Sequence, residues 1–482
     1  MANLDDLWLN WLTQARLGLP SPLLTLARAI VVLSVTVHVL LRKRDVGAAL
    51  SWIGLAWLSP FSGGFLYFVF GINRVRRRAQ RMREHVPPPG ESLPPAHTVP
   101  DVHLLPLEIA AARVTRRPSL RGNAVRPLRC GDEAYPPMLA AIADARHCIA
   151  LSTYILRDDV AGGRFIDALI AAQRRGVAVR VLLDGIGSGY FVSPAYRRLR
   201  VAGVPVARFM HSPLPWRMPF LNLRTHKKIL LLDGRVCFTG GMNIAAENVL
   251  ALRPRHPVRD LHFLVEGPVV GQLAEAFARD WAFAYGDELD GEGWFPRLAE
   301  AGEAPARVIT SGPDQDLEKI EFIMLEAIAC ARRRIAVMTP YFLPGERLLT
   351  ALAVAALRGV EVDVVMPGRS NHVVVDWAAR ANSVPLLAAE CRLWHGKPPF
   401  DHSKIMVVDG SWCLIGSANW DMRSLRLNFE LDMEVYDTAL AARLEAMMVE
   451  NRAARITAAA LHGRSLPVQL RDAAVRLFLP YL

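Results

Sequence analysis

Two long apolar runs fill most of the first seventy positions. Between Pro22 and Leu41 Arg28 is the single formal charge, and between Val46 and Gly71 there is none. At about 1.5 Å per helical residue, each run is long enough to cross a hydrocarbon core of roughly 30 Å. The first run lacks the basic leader and the small-residue cleavage site of a removable signal peptide, so both are read as membrane helices. The sequence "RKR" follows the first run at 42–44, and six arginines lie between 74 and 83 after the second. The positive-inside rule draws both basic clusters to the cytoplasm, which two straight spans cannot satisfy. One resolution is a hairpin broken at "SPFSGGF" around Pro60, and the other is two spans with a short basic loop outside; both stay open.

Residues 1–84 are therefore expected to be a membrane anchor with an arginine-rich exit. The stretch 85–104 is a proline-rich linker that cannot pack a core. From about residue 105 the pattern alternates between helical and strand periods, and it does so twice. "AIADARHCIAL" at 141 is matched by "AIACARRRIAV" at 327, and "RRGVAVRVLLDG" at 174 by "LRGVEVDVVMPG" at 357. Each copy reads as helix, strand, helix, strand, with the second helix ending at Gly176 or Gly359. The alternation predicts an α/β sandwich around a largely buried mixed sheet, and the long period predicts a duplicated domain, 105–300 and 301–482.

The six cysteines, at 130, 148, 237, 330, 391 and 413, show no CxxC and no zinc-type spacing, so they read as reduced core residues. The formal net charge of +11 suits an anionic partner, lipid or nucleic acid. Because much of that charge sits in the juxtamembrane arginines, lipid is the favoured partner and nucleic acid is not expected. The segment "HSPLPWRMPFLNLRTH" places Trp216 and Phe220 among Arg217 and Arg224, which suits an interfacial anchor or an aromatic-packed loop.

The candidate chemistry lies in one spacing that occurs twice. His226, Lys228, Asp233, Gly240 and Asn243 recur with every interval preserved as His402, Lys404, Asp409, Gly416 and Asn419. Residues two apart on a strand share a face, so each His and Lys project together, while Asp233 and Asp409 stand at the far end. Phosphodiester exchange needs a nucleophile, an acid for the leaving oxygen, and positive charge around phosphorus. Two His–Lys pairs facing each other across a pseudo-twofold axis, with the Asn243 and Asn419 amides, supply all three without a metal or cofactor. A nucleophilic imidazole also needs a carboxylate on its other nitrogen. Asp260 and Glu430 are the candidates, each downstream of its motif. Tyr154 and Tyr341 end corresponding strands and can line the pocket, whereas His262 and His395 have no counterpart and read as structural.

These motifs resemble the phospholipase D superfamily, whose HxKxxxxD signature with a following G-S-x-N occurs twice per active site. The two hydrophobic segments, the arginine-rich exit, "TPYFLP" at 339 and "NWDMRSLRLNFE" at 419–430 are most similar to bacterial cardiolipin synthases. The resemblance implies duplicated phospholipase D-like α/β/α sandwich domains in a cell inner membrane enzyme with a cytoplasmic catalytic part. It also implies transfer of a phosphatidyl group between two phosphatidylglycerol molecules through a phosphohistidine, with His226 as nucleophile and His402 as acid. A hydrolytic phospholipase D and a membrane-tethered phosphodiesterase or nuclease are the alternatives. Two departures stand out: "TGGMN" replaces the hydroxyl-bearing "IGSAN" in the first half, and Asp401 precedes His402.

Overall fold

The structure, a computed structural model, describes residues 21–43, 46–71, 101–211, 223–314 and 316–479. The arginine-rich exit at 74–83, the linker up to residue 100 and the aromatic positions Trp216 and Phe220 lie outside the described residues. The chain divides into two compact units, 1–78 and 79–482.

In the first unit, Ser21–Arg42 is a single helix, and Pro22–Arg42 is long and apolar enough to cross a bilayer, with a mean hydropathy of 2.1. The second apolar run is not one span. It forms helix Val46–Leu58, breaks at Ser59, and resumes as Pro60–Leu66 and the wider turn Tyr67–Gly71. Pro60 lacks a donor and disfavours helical geometry in the residue before it, so Ser59 leaves the helical region at φ −142°, ψ 81° and a new helix begins. The new helix folds back closely. A Cβ on Gly63 would stand 2.4 Å from the Leu55 carbonyl oxygen, so glycine is required there. Val35, Val39, Ala56 and Tyr67 close this small core, and Tyr67 shares a 2.7 Å hydrogen bond with His38.

The second unit is built on one fifteen-stranded sheet. In spatial order the second half contributes Arg452–Ile456, Arg392–Gly396, Glu361–Pro367, Arg334–Met338, Ile405–Val408, Trp412–Gly416, Glu430–Tyr436 and Ala304–Ser311. The first half continues with Leu120–Arg129, Leu261–Glu266, Val236–Gly240, Ile229–Leu232, Cys148–Thr153, Ala178–Asp184 and Val206–Phe209. The halves join where Leu120–Arg129 pairs antiparallel with Ala304–Ser311. In each half a parallel pair abuts an antiparallel meander, which is the mixed sheet expected from the repeat. Helices cover both faces, and the central strands are almost wholly buried. Cys237 and Cys413 occupy corresponding fully buried positions, and burial pushes both thiols up, as packing residues rather than reagents.

One helix departs from the expected partition. Leu105–Thr115 begins the first half in sequence, yet Leu104, Leu107 and Ala111 pack with Ile320, Ile323 and Met324 in the core of the second half. Their spacing puts all three on one helical face, and helix Lys319–Cys330 offers the matching surface. The helix is secured by charge. Arg307, fully buried on Ala304–Ser311, lies 2.8 Å from both Glu108 and Glu434. Removing the guanidinium would leave two carboxylates uncompensated in a dry interior. Arg307→Met should therefore lower the unfolding free energy by about 3–5 kcal/mol in denaturant titration. A loss below about 1 kcal/mol would show that the network is dispensable.

Candidate active site

The strand Ile229–Leu232 runs antiparallel to Cys148–Thr153, so the residues just before it emerge beside the carboxyl ends of the parallel strands. There Asp184, buried at the end of Ala178–Asp184, accepts the Thr225 N–H at 2.9 Å and fixes the approach to His226. The second half repeats this geometry, with His402 preceding Ile405–Val408 beside Arg334–Met338. The two imidazoles meet at one cleft, with ring centroids 6.3 Å apart and planes at 86°.

Each histidine is held by the opposite half. The His226 N–H donates to the Phe429 carbonyl at 2.8 Å, and the Phe429 N–H donates to the Arg224 carbonyl at 2.8 Å. This short ladder delivers the next residue, Glu430, whose Oε2 lies 2.9 Å from His226 Nδ1. Likewise Phe400–Asp401 pairs with Val258–Arg259, the His402 N–H donates to the Arg259 carbonyl at 2.7 Å, and Asp260 Oδ2 lies 2.8 Å from His402 Nδ1. The carboxylates proposed from sequence are thus both beside imidazoles, but crossed. Each serves the histidine of the other copy, not the one upstream of it.

The two sides differ in detail. His226 Nδ1 faces two acceptors, Glu430 and the Ser417 carbonyl at 3.0 Å. Both are acceptors, so Nδ1 carries the proton and Nε2 presents a lone pair to the cleft. The Ser417 hydroxyl also donates to Glu430 at 2.6 Å. At the corresponding Gly241 a Cβ would stand 2.4 Å from Asp260 Oδ1, so the missing hydroxyl of the first motif follows from a closer approach of its carboxylate. His402 Nδ1 lies between Asp260 and the Lys404 ammonium at 2.9 Å.

Burial is the strongest influence on the two histidines, the two lysines and their two carboxylates. It holds His226 and His402 well below the usual imidazole range, with the Lys228 and Lys404 charges adding to it. It pushes the carboxyls of Asp260 and Glu430 up to about 7, and it draws Lys228 down to about 7 and Lys404 down to about 8. Lys228 donates to the His226 carbonyl at 2.7 Å, which turns its ammonium back beside the imidazole.

The cleft encloses about 610 Å³ and is lined by His226, His402, Asn243, Asn419, Tyr154 and Tyr341 among others. The tyrosine rings stand edge-on to the histidines, at 5.2 Å for Tyr154–His226 and 6.2 Å for Tyr341–His402. His262 is buried and His395 half-buried, and neither lines the cleft. Arg224 and Arg423 also face the cleft, as do Asn371 and His372. Arg224 lies two before His226 and four before Lys228, a spacing that could have singled it out; Arg423 sits in the quoted "NWDMRSLRLNFE" but carries no repeat counterpart.

Asp233 and Asp409, part of the same signature, stand away from the cleft. Asp233 accepts the N–H groups of Arg146, His147 and Cys148 at 2.9, 2.7 and 2.9 Å. Asp409 accepts those of Arg332, Arg333 and Arg334 at 2.9, 2.8 and 2.8 Å, and pairs with His103 at 2.7 Å. Burial opposes ionisation of both, but the backbone donors outweigh it and hold each carboxyl below its usual range. Both residues adopt positive φ, 49° and 53°, in the turn that reverses the chain. Asp233→Ala or Asp409→Ala should cost about 1–3 kcal/mol of stability through the orphaned donors. Turnover per folded molecule should stay within about twofold, and a larger fall would tie these carboxylates to the reaction itself.

Known proteins share this arrangement of chain. The family described as "Cardiolipin synthase, PLD-like domain" matches residues 138–281 and 324–451, together more than half of the chain. A cardiolipin synthase of Geobacillus kaustophilus is 32% identical over 94% of this chain and 92% of its own length. Cardiolipin synthase A of Pseudomonas aeruginosa is 32% identical over 86% of each. Among solved structures, phosphatidylserine synthase of Haemophilus influenzae superposes with a TM-score of 0.61 at 14% identity, covering 78% of this chain and all of that one, a likeness of fold. The chain therefore belongs to the cardiolipin synthase family of phospholipase D-like proteins.

Proposed function

We propose that this protein is a membrane-tethered cardiolipin synthase, which transfers a phosphatidyl group from one phosphatidylglycerol to the terminal hydroxyl of another and releases glycerol. The observation that carries the reading is the pair of crossed His–carboxylate couples facing each other in one basic cleft. His226 Nε2 attacks phosphorus while His402, brought to the imidazolium form by the bound phosphodiester anion and Asp260 against the effect of burial, gives its proton to the departing glycerol oxygen. The P–O bond breaks as the P–N bond forms. His402 then takes the proton of the second phosphatidylglycerol hydroxyl, whose oxygen attacks phosphorus and releases His226. Lys228, Lys404, Asn243 and Asn419 hold the non-bridging oxygens, and Asp233 and Asp409 hold the motif strands. Two features support this order. The fixed Nδ1–H tautomer leaves a lone pair on His226, and the mixed neighbours of His402 suit a group that gains and loses a proton. The apolar N-terminal helix supports anchoring in a bacterial inner membrane, with the arginine-rich exit and catalytic part on the cytoplasmic side.

The test is purified full-length protein in detergent with labelled phosphatidylglycerol. Cardiolipin and glycerol should appear in equal amounts; phosphatidic acid in their place would identify a hydrolase. His402→Asn should accumulate a phosphorylated histidine that maps to His226. A label on His402, or none in any slow variant, would overturn the assignment.

The pH dependence follows from the same groups. As pH falls through about 7, Asp260 and Glu430 take up protons and no longer support an imidazolium. As pH rises through about 7 and then about 8, Lys228 and Lys404 lose theirs and no longer hold the phosphate. The profile of kcat/KM should be a narrow bell centred in the neutral range. A bound phosphodiester anion favours the ammonium forms, so the alkaline limb of kcat should lie at higher pH than that of kcat/KM. Coincident alkaline limbs would count against the lysines as phosphate ligands.

A further inference from the structure

We infer that the mouth of the cleft is a docking rim that seats the catalytic unit on an anionic phospholipid bilayer, separately from the N-terminal tether. The inference rests on the lipid-transfer reading above. Its basis is a feature repeated by the two halves. After Ala178–Asp184 the chain enters a loop that ends in Phe191 and Val192, which are 80% and 75% exposed. After the corresponding strand Glu361–Pro367 it enters a loop that leads into the helix Val373–Asn382, whose first two residues, Val373 and Val374, are 46% and 41% exposed. Adjacent exposed apolar pairs have no role in a core; both follow the carboxyl ends of parallel strands, Val374 lining the cleft itself and Phe191 and Val192 lining a neighbouring cavity with Arg197 and Arg200.

The second rim belongs to the cleft directly, since Val374 lines it together with His372. The first is tied to it through Tyr154, because Ser188 donates to the Tyr154 carbonyl at 3.1 Å and Gly187 packs against the Tyr154 ring. Both apolar pairs are accompanied by exposed cations. Arg197 and Arg200 project from helix Pro194–Val201 beside Phe191, and Arg369 is exposed just before Val373. By contrast, Arg198 on the same helix is neutralised by Asp158 and Asp167. Exposed apolar side chains flanked by arginines fit the boundary between acyl chains and anionic headgroups. A rim of that composition around a phosphodiester-sized cleft would let a headgroup enter while its acyl chains stay in the membrane.

The test uses the full-length chain in lipid nanodiscs, where the N-terminal segment is embedded whatever the lipid. Phe191→Cys carrying an environment-sensitive dye should shift to the blue in phosphatidylglycerol discs and not in phosphatidylcholine discs, and added salt should reverse the shift. The wild-type chain treated with the same dye provides the background from its native thiols. No shift in either lipid, or an equal shift in both, would overturn the inference. Phe191→Asp with Val192→Asp should lower kcat/KM on phosphatidylglycerol bilayers by about tenfold and leave turnover of a monomeric short-chain phosphatidylglycerol within about twofold. Equal losses on both substrates would show that the loop builds the cleft and does not dock it. If the wild-type chain acts on neither lipid, the transfer reading fails, and the dye shift alone still decides the docking.

Discussion

The site depends on an exchange of backbone between the two halves of the duplicated domain. The segment leading into each histidine hydrogen-bonds to the segment leading into the other half's carboxylate, through Phe429 on one side and Arg259 on the other. Two short ladders thereby fix four side chains at once: His226 with Glu430, and His402 with Asp260. Neither half alone can hold a histidine in a defined tautomer. The long shared sheet and the buried Arg307 network keep the halves in the register that these ladders require.

This arrangement gathers two imidazoles, two ammonium groups and two carboxyls where burial disfavours every one of their charged forms. Such a cluster is not a source of stability. It persists because the rest of the fold over-determines it, and the strands that carry the motifs show how. At one end of each motif strand the histidine lines the cleft with the lysine buried behind it; at the other, Asp233 or Asp409 gathers three backbone N–H groups and anchors the turn. Rigidity at the far end supports precision at the near end, and the eight-residue signature spans both.

Duplication supplies symmetry, and the departures from it bear on which histidine does what. Ser417 gives His226 an acceptor carbonyl and gives Glu430 a hydroxyl donor, whereas Gly241 admits a shorter carboxylate against His402. In the same way Asp432 accepts the Ser417 and Ala418 N–H groups from a position two after Glu430, where the first half carries a histidine, His262, two after Asp260. The two halves are therefore alike in fold and different in the partners they set beside each histidine.

Much was legible in the chain itself. The repeated intervals from His226 to Asn243 and from His402 to Asn419, the alternation of helix and strand, and the two apolar runs are local or periodic features. Periodicity reports which face a residue occupies without reference to any other part of the chain. It set His226 and Lys228 on one face and Asp233 at the far end, and it marked Pro60 as a break. The partner of each histidine was a different kind of question. Asp260 and Glu430 follow their motifs at similar distances, so pairing within a half and pairing across halves are equally compatible with the sequence. Only the folded backbone, through contacts between residues 204 positions apart on one side and 142 on the other, selected the crossed arrangement. The same holds for helix Leu105–Thr115, whose apolar stripe specifies that it must be buried but not against which half. A periodic pattern encodes a face; the identity of what covers that face is decided by the sheet that assembles around it.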